Sequence, residues 1–170
     1  MSAIIHHYLR LVLLKASPQD MPASSVLLMI LVFFYFILAL INASSINNIS
    51  SSLLHSVIDI AMLFIFTHVL LRDKKQRINQ TLNAFIGVGL VIGILHTLSS
   101  LFTSANQDPQ DVSMLTQLIF FMIFIWVVVV YGHIIRCATE VNMSVACAIS
   151  LGYIILNVMV LVSLSGFLKT

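Results

Sequence analysis

The sequence predicts an all-α membrane protein in which five helices cross a lipid bilayer. Of the 170 residues, 60% are apolar and 8% are charged, whereas an average soluble domain carries about 25% charged residues. Five stretches are mostly apolar over roughly 20 residues, the length that a helix needs to cross the hydrocarbon core. Strands rarely exceed about 10 residues, so length favours helices. The predicted spans are residues 24–43, 52–71, 81–103, 113–135 and 143–168.

The basic residues predict a cytoplasmic amino terminus and a carboxyl terminus outside. Short cytoplasmic loops accumulate Lys and Arg, and this orientation leaves Lys169 as the single basic residue on the outer side. The loop between the second and third spans then acts as a cytoplasmic basic anchor. The residues of this anchor are Arg72, Lys74, Lys75 and Arg77.

Residues 1–23 are predicted to form a cytoplasmic amphipathic segment that precedes a single transmembrane domain, residues 24–170. Apolar residues recur on one helical face of this segment, while His6, His7 and Arg10 occupy the other face. Such a pattern is typical of a helix that lies at the membrane interface. Charged residues interrupt the apolar run and no small-residue cleavage site follows, which favours a retained helix over a cleaved signal peptide.

The second and third spans carry polar residues that predict an intramembrane cluster centred on Asp59. In the second span, four polar residues from Ser52 to Asp59 have the spacing i, i+3, i+4, i+7, which places them on one face. The third span repeats this spacing from His96 to Thr103. We expect the two faces to meet, with Asp59 accepting a hydrogen bond from His96 or His55, or staying protonated. The predicted cluster consists of Asp59, His55, Ser56, His96, Ser99 and Ser100.

The cluster admits several interpretations. The first is structural, because polar contacts between membrane helices contribute about 0.6 to 2 kcal/mol. The second is a pathway for protons or ions, and the third is a metal site built from His55, Asp59 and His96. With His68 and His133 near the inner ends of their spans, the histidines would also admit haem ligation. Ordinary interfacial histidines explain the inner pair more simply.

Small and polar residues elsewhere predict contacts between helices. Gly89 and Gly93 form a small-xxx-small pair in the third span, which lets a neighbouring helix approach closely. We expect this contact inside the bundle rather than between two copies of the chain. Asn157 is a candidate for an interhelical hydrogen bond, and Tyr131 and Tyr153 are placed for the interfaces or for packing.

The sequence predicts no catalytic residue, no cofactor and no nucleic-acid surface. It has no Gly-rich phosphate loop, no nucleophile elbow, no His-Glu-x-x-His and no CxxC. A net charge of +2 is too small for nucleic-acid binding. Cys137 and Cys147 lie in or beside apolar runs, which favours packing over metal binding. We expect a non-enzymatic protein whose partners are the lipid bilayer and another membrane protein or a second copy of itself.

Three segments resemble small inner-membrane proteins of gammaproteobacteria. They are residues 17–24 (SPQDMPAS), 79–87 (NQTLNAFIG) and 131–136 (YGHIIR). That group is in turn similar to the Yip family, whose eukaryotic members have five spans and a cytoplasmic amino terminus and bind Rab GTPases. The Asp-Leu-x-Gly-Pro motif of the eukaryotic proteins has no counterpart here, so the resemblance does not extend to Rab binding.

The resemblance implies a non-catalytic adaptor, or an accessory subunit of a membrane complex, in a bacterial cytoplasmic (inner) membrane. The residues themselves admit two further functions. One is transport of protons, ions or small solutes through the cluster of Asp59, His55 and His96. The other is haem or metal binding through the membrane histidines.

Overall fold

The computed structural model describes residues 2–44, 49–104 and 114–167, and within these ranges it contains helices but no strand. Lys169 and the side chains of Ser100 and Thr103 lie outside the described residues. Two 3-10 turns, Pro18–Asp20 and Lys75–Arg77, occur between helices. The helices are α1 (Ser2–Val12), α2 (Ser25–Ser44), α3 (Ile49–Leu70), α4 (Ile78–Ser104), α5 (Met114–Thr139) and α6 (Met143–Phe167).

Five of these helices, α2 to α6, are long and apolar enough to cross a membrane, which confirms the predicted number of apolar spans. The predicted bounds differ most at the end of α5, which runs to Thr139 rather than to residue 135. Lys74 and Arg77 donate hydrogen bonds to the carbonyls of Thr139 and Ala138, at 3.2 and 3.1 Å. Because these basic side chains satisfy the last carbonyls, the helix continues past its apolar part.

The predicted glycine pair on α4 is the place where α2 approaches. A Cβ atom added to Gly89 would lie 2.8 Å from Cε2 of Tyr35, and one added to Gly93 would lie 2.7 Å from Cδ2 of Leu38. Both distances are shorter than a real Cβ allows. The absence of a side chain at these two positions therefore lets α2 pack closely on α4, within the bundle.

The amino-terminal helix is docked onto the bundle. The ring of Tyr8 lies directly against Gly87 of α4, and Tyr8 is only 5% exposed. Leu11 and Val12 are buried in the same core as Phe85. Burial raises the pKa of Tyr8 to about 12. The apolar face that the sequence predicts is thus divided, since part of it packs on protein and part is exposed. The exposed residues are Ile5, Leu9 and Leu13.

Side chains of α4 and α5 hold the stretch between α1 and α2 by binding its backbone carbonyls. His133 of α5 is one of them, and since a carbonyl oxygen only accepts, its Nε2 carries the proton. The bonds are Gln80 to Met21 at 3.1 Å, Asn83 to Pro22 at 2.9 Å and His133 to Ala16 at 2.9 Å. The amino-terminal segment therefore closes one end of the bundle, which we name the α1 end.

The loops after α3 and after α5 meet at the α1 end. Glu140 pairs with Lys74 at 3.1 Å and with Arg77 at 2.7 Å. The hydrogen bond from Arg77, followed by that from Lys74, holds the pKa of Glu140 below its ordinary value. Two residues of the predicted basic anchor therefore bind protein, whereas Arg72 and Lys75 are exposed.

Gly87→Ala is expected to destabilise the protein, because the new Cβ would overlap the buried ring of Tyr8. Overpacking costs about 1 to 3 kcal/mol, and each kcal/mol lowers the melting temperature by about 2 to 4 °C in a chain of this size. Gly152→Ala on α6 is the matched control, since a Cβ there meets nothing within 4 Å in the described part of the chain. Equal melting temperatures for the two variants in mild detergent would contradict the docking of α1.

Glu140→Gln is expected to lower the melting temperature at pH 7 but not in acid. Because folding lowers the pKa of Glu140, its carboxylate stabilises the folded state above the ordinary Glu value, and this is lost as pH falls through the lowered value. The difference between wild type and variant should also shrink with added salt, since the pair is exposed. Asp73→Asn, which removes an exposed carboxylate outside the ion pairs of the described residues, serves as the control. A difference that does not change with pH would argue against this ion pair.

A polar centre within the helical bundle

Asp59 lies midway along α3, and its carboxylate accepts hydrogen bonds from two other spans. The hydroxyl of Tyr35 in α2 donates to Oδ2 at 2.7 Å. The amide of Asn157 in α6 donates to Oδ1 at 2.8 Å. The predicted interhelical hydrogen bond of Asn157 is thereby confirmed. These two bonds join the middles of three spans at one depth.

A second tyrosine extends this network along α6. The amide nitrogen of Asn157 also lies 3.3 Å from the hydroxyl oxygen of Tyr153, one turn earlier in the same helix. Both side chains are buried, at 8% and 7% exposure. Asp59 is therefore held through both of its carboxyl oxygens.

A cavity of about 360 Å³, which we name the wide cavity, lies beside Asp59 among α2, α3, α4 and α6. Gly89 and Gly93 form part of its wall. The structure brings four members of the predicted cluster to this cavity. They are Asp59, His55, Ser56 and His96.

The predicted partner of Asp59 was wrong, because the carboxylate accepts from Tyr35 and Asn157 rather than from His96 or His55. The physical reason is the close approach of α2, which brings the hydroxyl of Tyr35 against Asp59. The ring of His96 lies 5.3 Å from that of Phe120 in α5. Nε2 of His55 is buried and has no hydrogen-bond partner among the described residues.

Two serines of the predicted cluster donate hydrogen bonds within their own helices. Ser56 donates to the carbonyl of Ser52 at 2.9 Å, and Ser99 donates to that of Leu95 at 2.8 Å. A hydroxyl in a helix can satisfy its donor one turn earlier in its own helix. The side chain of Ser100 lies outside the described residues. The contact between the serines of α3 and α4 therefore stays a prediction.

The histidines do not form a metal site in the described residues. Across the ranges 2–44, 49–104 and 114–167, no group of three or more His, Cys, Asp or Glu is placed to hold a metal ion. His68 is exposed and bonds the carbonyl of Phe64 at 2.8 Å. His133 bonds the carbonyl of Ala16. The inner pair of histidines is therefore engaged with the backbone rather than facing a slot for haem.

A second cavity, of about 180 Å³, lies on another side of Asp59, and we name it the aromatic cavity. Three tyrosines from three helices line it, together with Asp59 and Asn157: they are Tyr35, Tyr131 and Tyr153. The rest of its wall is aliphatic and consists of Leu63, Val127, Ile154 and Val158. Since Asp59 and Tyr35 also line the wide cavity, the carboxylate stands between the two spaces.

Phenylalanines hold the tyrosines of the aromatic cavity in place. Phe66 stacks on Tyr153 with ring centroids 4.4 Å apart and an interplanar angle of 30°. Phe85 meets Tyr131 edge to face, with centroids 5.0 Å apart. Such aromatic pairs contribute about 0.5 to 1.5 kcal/mol beyond the area they bury. The rings of Tyr131 and Tyr153 are therefore packed against other aromatic side chains.

Tyr35 is the functional residue that sequence reasoning missed. It lies in the first predicted span, an unbroken apolar run in which an aromatic residue resembles its neighbours. The signal that could have found it is its hydroxyl, because a buried Tyr in an apolar environment needs a hydrogen-bond partner. Tyr35 and Asp59 each lie near the middle of a predicted span, so Asp59 could have been named as the acceptor for this hydroxyl.

No protein family matches this chain, and neither a curated protein nor a solved structure is similar to it. The chemistry of the polar centre is therefore the basis on which a function can be proposed.

Tyr35→Phe and Asn157→Leu are each expected to lower the free energy of unfolding by about 0.6 to 2 kcal/mol, because each removes one donor to Asp59. Their effects should not add, since both act on one carboxylate. Tyr131→Phe is the control, because the Tyr131 hydroxyl donates to no carboxylate in the described part of the chain. Unfolding in mixed micelles is measured for wild type, the three single variants and the double variant Tyr35→Phe/Asn157→Leu. An equal loss in Tyr131→Phe and Tyr35→Phe would contradict the proposed role of the Tyr35 bond.

Proposed function

We propose that this protein binds a proton or a small cation at Asp59 and moves it across a bacterial inner membrane. The observation that carries the proposal is a carboxylate midway along a span, bordered by two cavities. Of the described residues, no Lys or Arg lines either cavity. The negative charge therefore has no permanent cationic partner there.

The cost of a charge at this depth supports the proposal. An ionised carboxylate in the middle of a membrane is expensive and needs a proton, a cation or a strong set of hydrogen bonds. Two neutral donors, Tyr35 and Asn157, supply part of that stabilisation. A proton or bound cation supplies the rest, and a group that exchanges such a partner is what a transporter requires.

The positions of the two cavities also support transport. The wide cavity extends from Asp59 to Asn42, close to the end of α2 that lies opposite the α1 end. The aromatic cavity is backed by Phe66 and Phe85 on the side of Tyr153 and Tyr131. Such an arrangement fits a binding site near the middle of the membrane that is approached from one face through the wide cavity.

The orientation belongs to the same proposal. The α1 end is placed in the cytoplasm, because the exposed basic residues gather there and short cytoplasmic loops are rich in Lys and Arg. These residues are Arg10, Lys15, Arg72, Lys75 and Arg136. The wide cavity would then be approached from outside. In this setting α1 is an interfacial helix whose exposed apolar residues contact lipid.

Asp59→Asn is expected to abolish proton uptake into liposomes that contain the purified protein. A pH-sensitive dye reports uptake under an imposed pH gradient, with valinomycin and K⁺ present to balance charge. The asparagine keeps an acceptor for Tyr35 but cannot take up a proton or attract a cation. Asp73→Asn, in the loop after α3, should retain wild-type uptake. Uptake by wild-type vesicles no faster than that of protein-free vesicles would overturn a proton-conducting role.

A second candidate is the adaptor or accessory subunit that the resemblance to the Yip family implies. The observation that favours it is the exposure of α2, in which Leu31 is the only buried residue among the described side chains. An apolar groove of about 540 Å³ runs between α2 and α3, past Phe33 and Phe64. Proton uptake by liposomes that contain only the purified protein distinguishes the two functions. A transporter produces uptake without any other protein, and an accessory subunit does not.

A further inference from the structure

The aromatic cavity has the composition of a site for an organic ammonium ion. We propose that the cation held at Asp59 is a small alkylammonium ion, bound in this cavity among Tyr35, Tyr131 and Tyr153. The proposal rests on the proposed function for the identity of the site, and it adds the class of substrate.

The ring arrangement is the first support. A cation is attracted to the face of a Tyr ring within about 6 Å of its centroid, and cages of aromatic side chains recognise quaternary ammonium groups in this way. Here the three tyrosines come from α2, α5 and α6 and line one space. Phe66 covers one face of Tyr153, so this ring presents its other face or its edge. Because Tyr131 and Tyr153 already pack on phenylalanines, holding these two rings in place costs little conformational entropy on binding.

The charges around the cavity are the second support. Asp59 supplies a negative charge beside the rings, and its two hydrogen bonds leave further lone pairs, since a carboxylate offers about four acceptor positions. Lys, Arg and His are absent from the described residues that line the aromatic cavity. A ligand cation therefore meets no competing positive charge.

The size and the apolar wall identify the kind of cation. A volume of about 180 Å³ is smaller than the roughly 300 to 1,000 Å³ of pockets for drug-sized ligands, so the occupant has few heavy atoms. The aliphatic side chains on the wall, such as Leu63 and Val127, suit alkyl groups. These aliphatic side chains offer no oxygen ligand, whereas Ca²⁺ takes six to eight and Mg²⁺ takes six.

The wide cavity provides the approach to this site. It shares Asp59 and Tyr35 with the aromatic cavity, so a cation that reaches the carboxylate from the wide side meets the cage next. His55 also lines the wide cavity, and its buried Nε2 has no partner among the residues described. A buried imidazole nitrogen without a protein partner is a place where a water molecule that accompanies the incoming ion would bind.

The test is calorimetric titration of the purified full-length protein in detergent with tetramethylammonium chloride, compared with sodium chloride at equal ionic strength. Saturable heat is expected for tetramethylammonium alone. Asp59→Asn should abolish it. Tyr131→Leu should weaken it by about 2- to 30-fold, the range that one cation–π contact supplies. Tyr131→Phe keeps the ring and should stay within about twofold of wild type.

A matched control removes an aromatic ring elsewhere. Phe33→Leu changes a side chain that is 60% exposed and faces away from the aromatic cavity, so its affinity should equal that of wild type. The proposal is overturned if wild type binds tetramethylammonium no better than sodium, or if Phe33→Leu loses as much affinity as Tyr131→Leu. The comparison of tetramethylammonium with sodium on wild type tests the proposal even where a leucine variant does not fold.

The result is separable from the test of transport. Proton uptake that depends on Asp59, without tetramethylammonium binding, would leave transport standing and overturn the organic cation. Saturable binding that depends on Asp59 and Tyr131, without any flux of protons or of tetramethylammonium, would leave the site standing and overturn transport.

Discussion

In a hydrocarbon environment a polar group without a hydrogen-bond partner is costly, and this cost determines which way the carboxylate and most hydroxyls of the bundle turn. A hydroxyl can donate to the carbonyl one turn earlier in its own helix, as Ser56, Thr67 and Ser163 do. A carboxylate has no such solution, because it accepts hydrogen bonds and so does the carbonyl. Asp59 therefore has to recruit donors from other helices, and the polar centre follows from that need.

The same requirement explains which parts of the site the sequence predicts. The five apolar spans follow from length and polarity, and Asn157 follows because an amide in the middle of a span needs a partner. The spacing of Ser56 and His55 correctly places them on one face with Asp59, and they line one cavity. It does not reveal which helix lies opposite that face. This depends on how closely α2 approaches α4, and hence Tyr35 was missed.

Helix α4 sets this geometry, because its glycines receive side chains from α1 and from α2. Gly87 receives Tyr8 of α1, and Gly89 receives Tyr35 of α2. Every residue from 81 to 89 is buried. One continuous buried stretch of α4 therefore both holds α1 and lets Tyr35 reach Asp59. Changes at one glycine should be felt at the site of the other, since both act through the position of one helix.

The docking of α1 has a consequence for biosynthesis. Tyr8 emerges from the ribosome long before Gly87, and at about 5 to 20 residues per second the interval is roughly 4 to 16 s. During that time its apolar side has no protein to cover it. The apolar side of α1 would lie in the headgroup layer until α4 has been inserted. Docking of α1 onto the bundle is therefore expected to occur only after α4 has been translated. A bulky fusion at the amino terminus would therefore slow the docking of α1 more than it slows the membrane insertion of any single span.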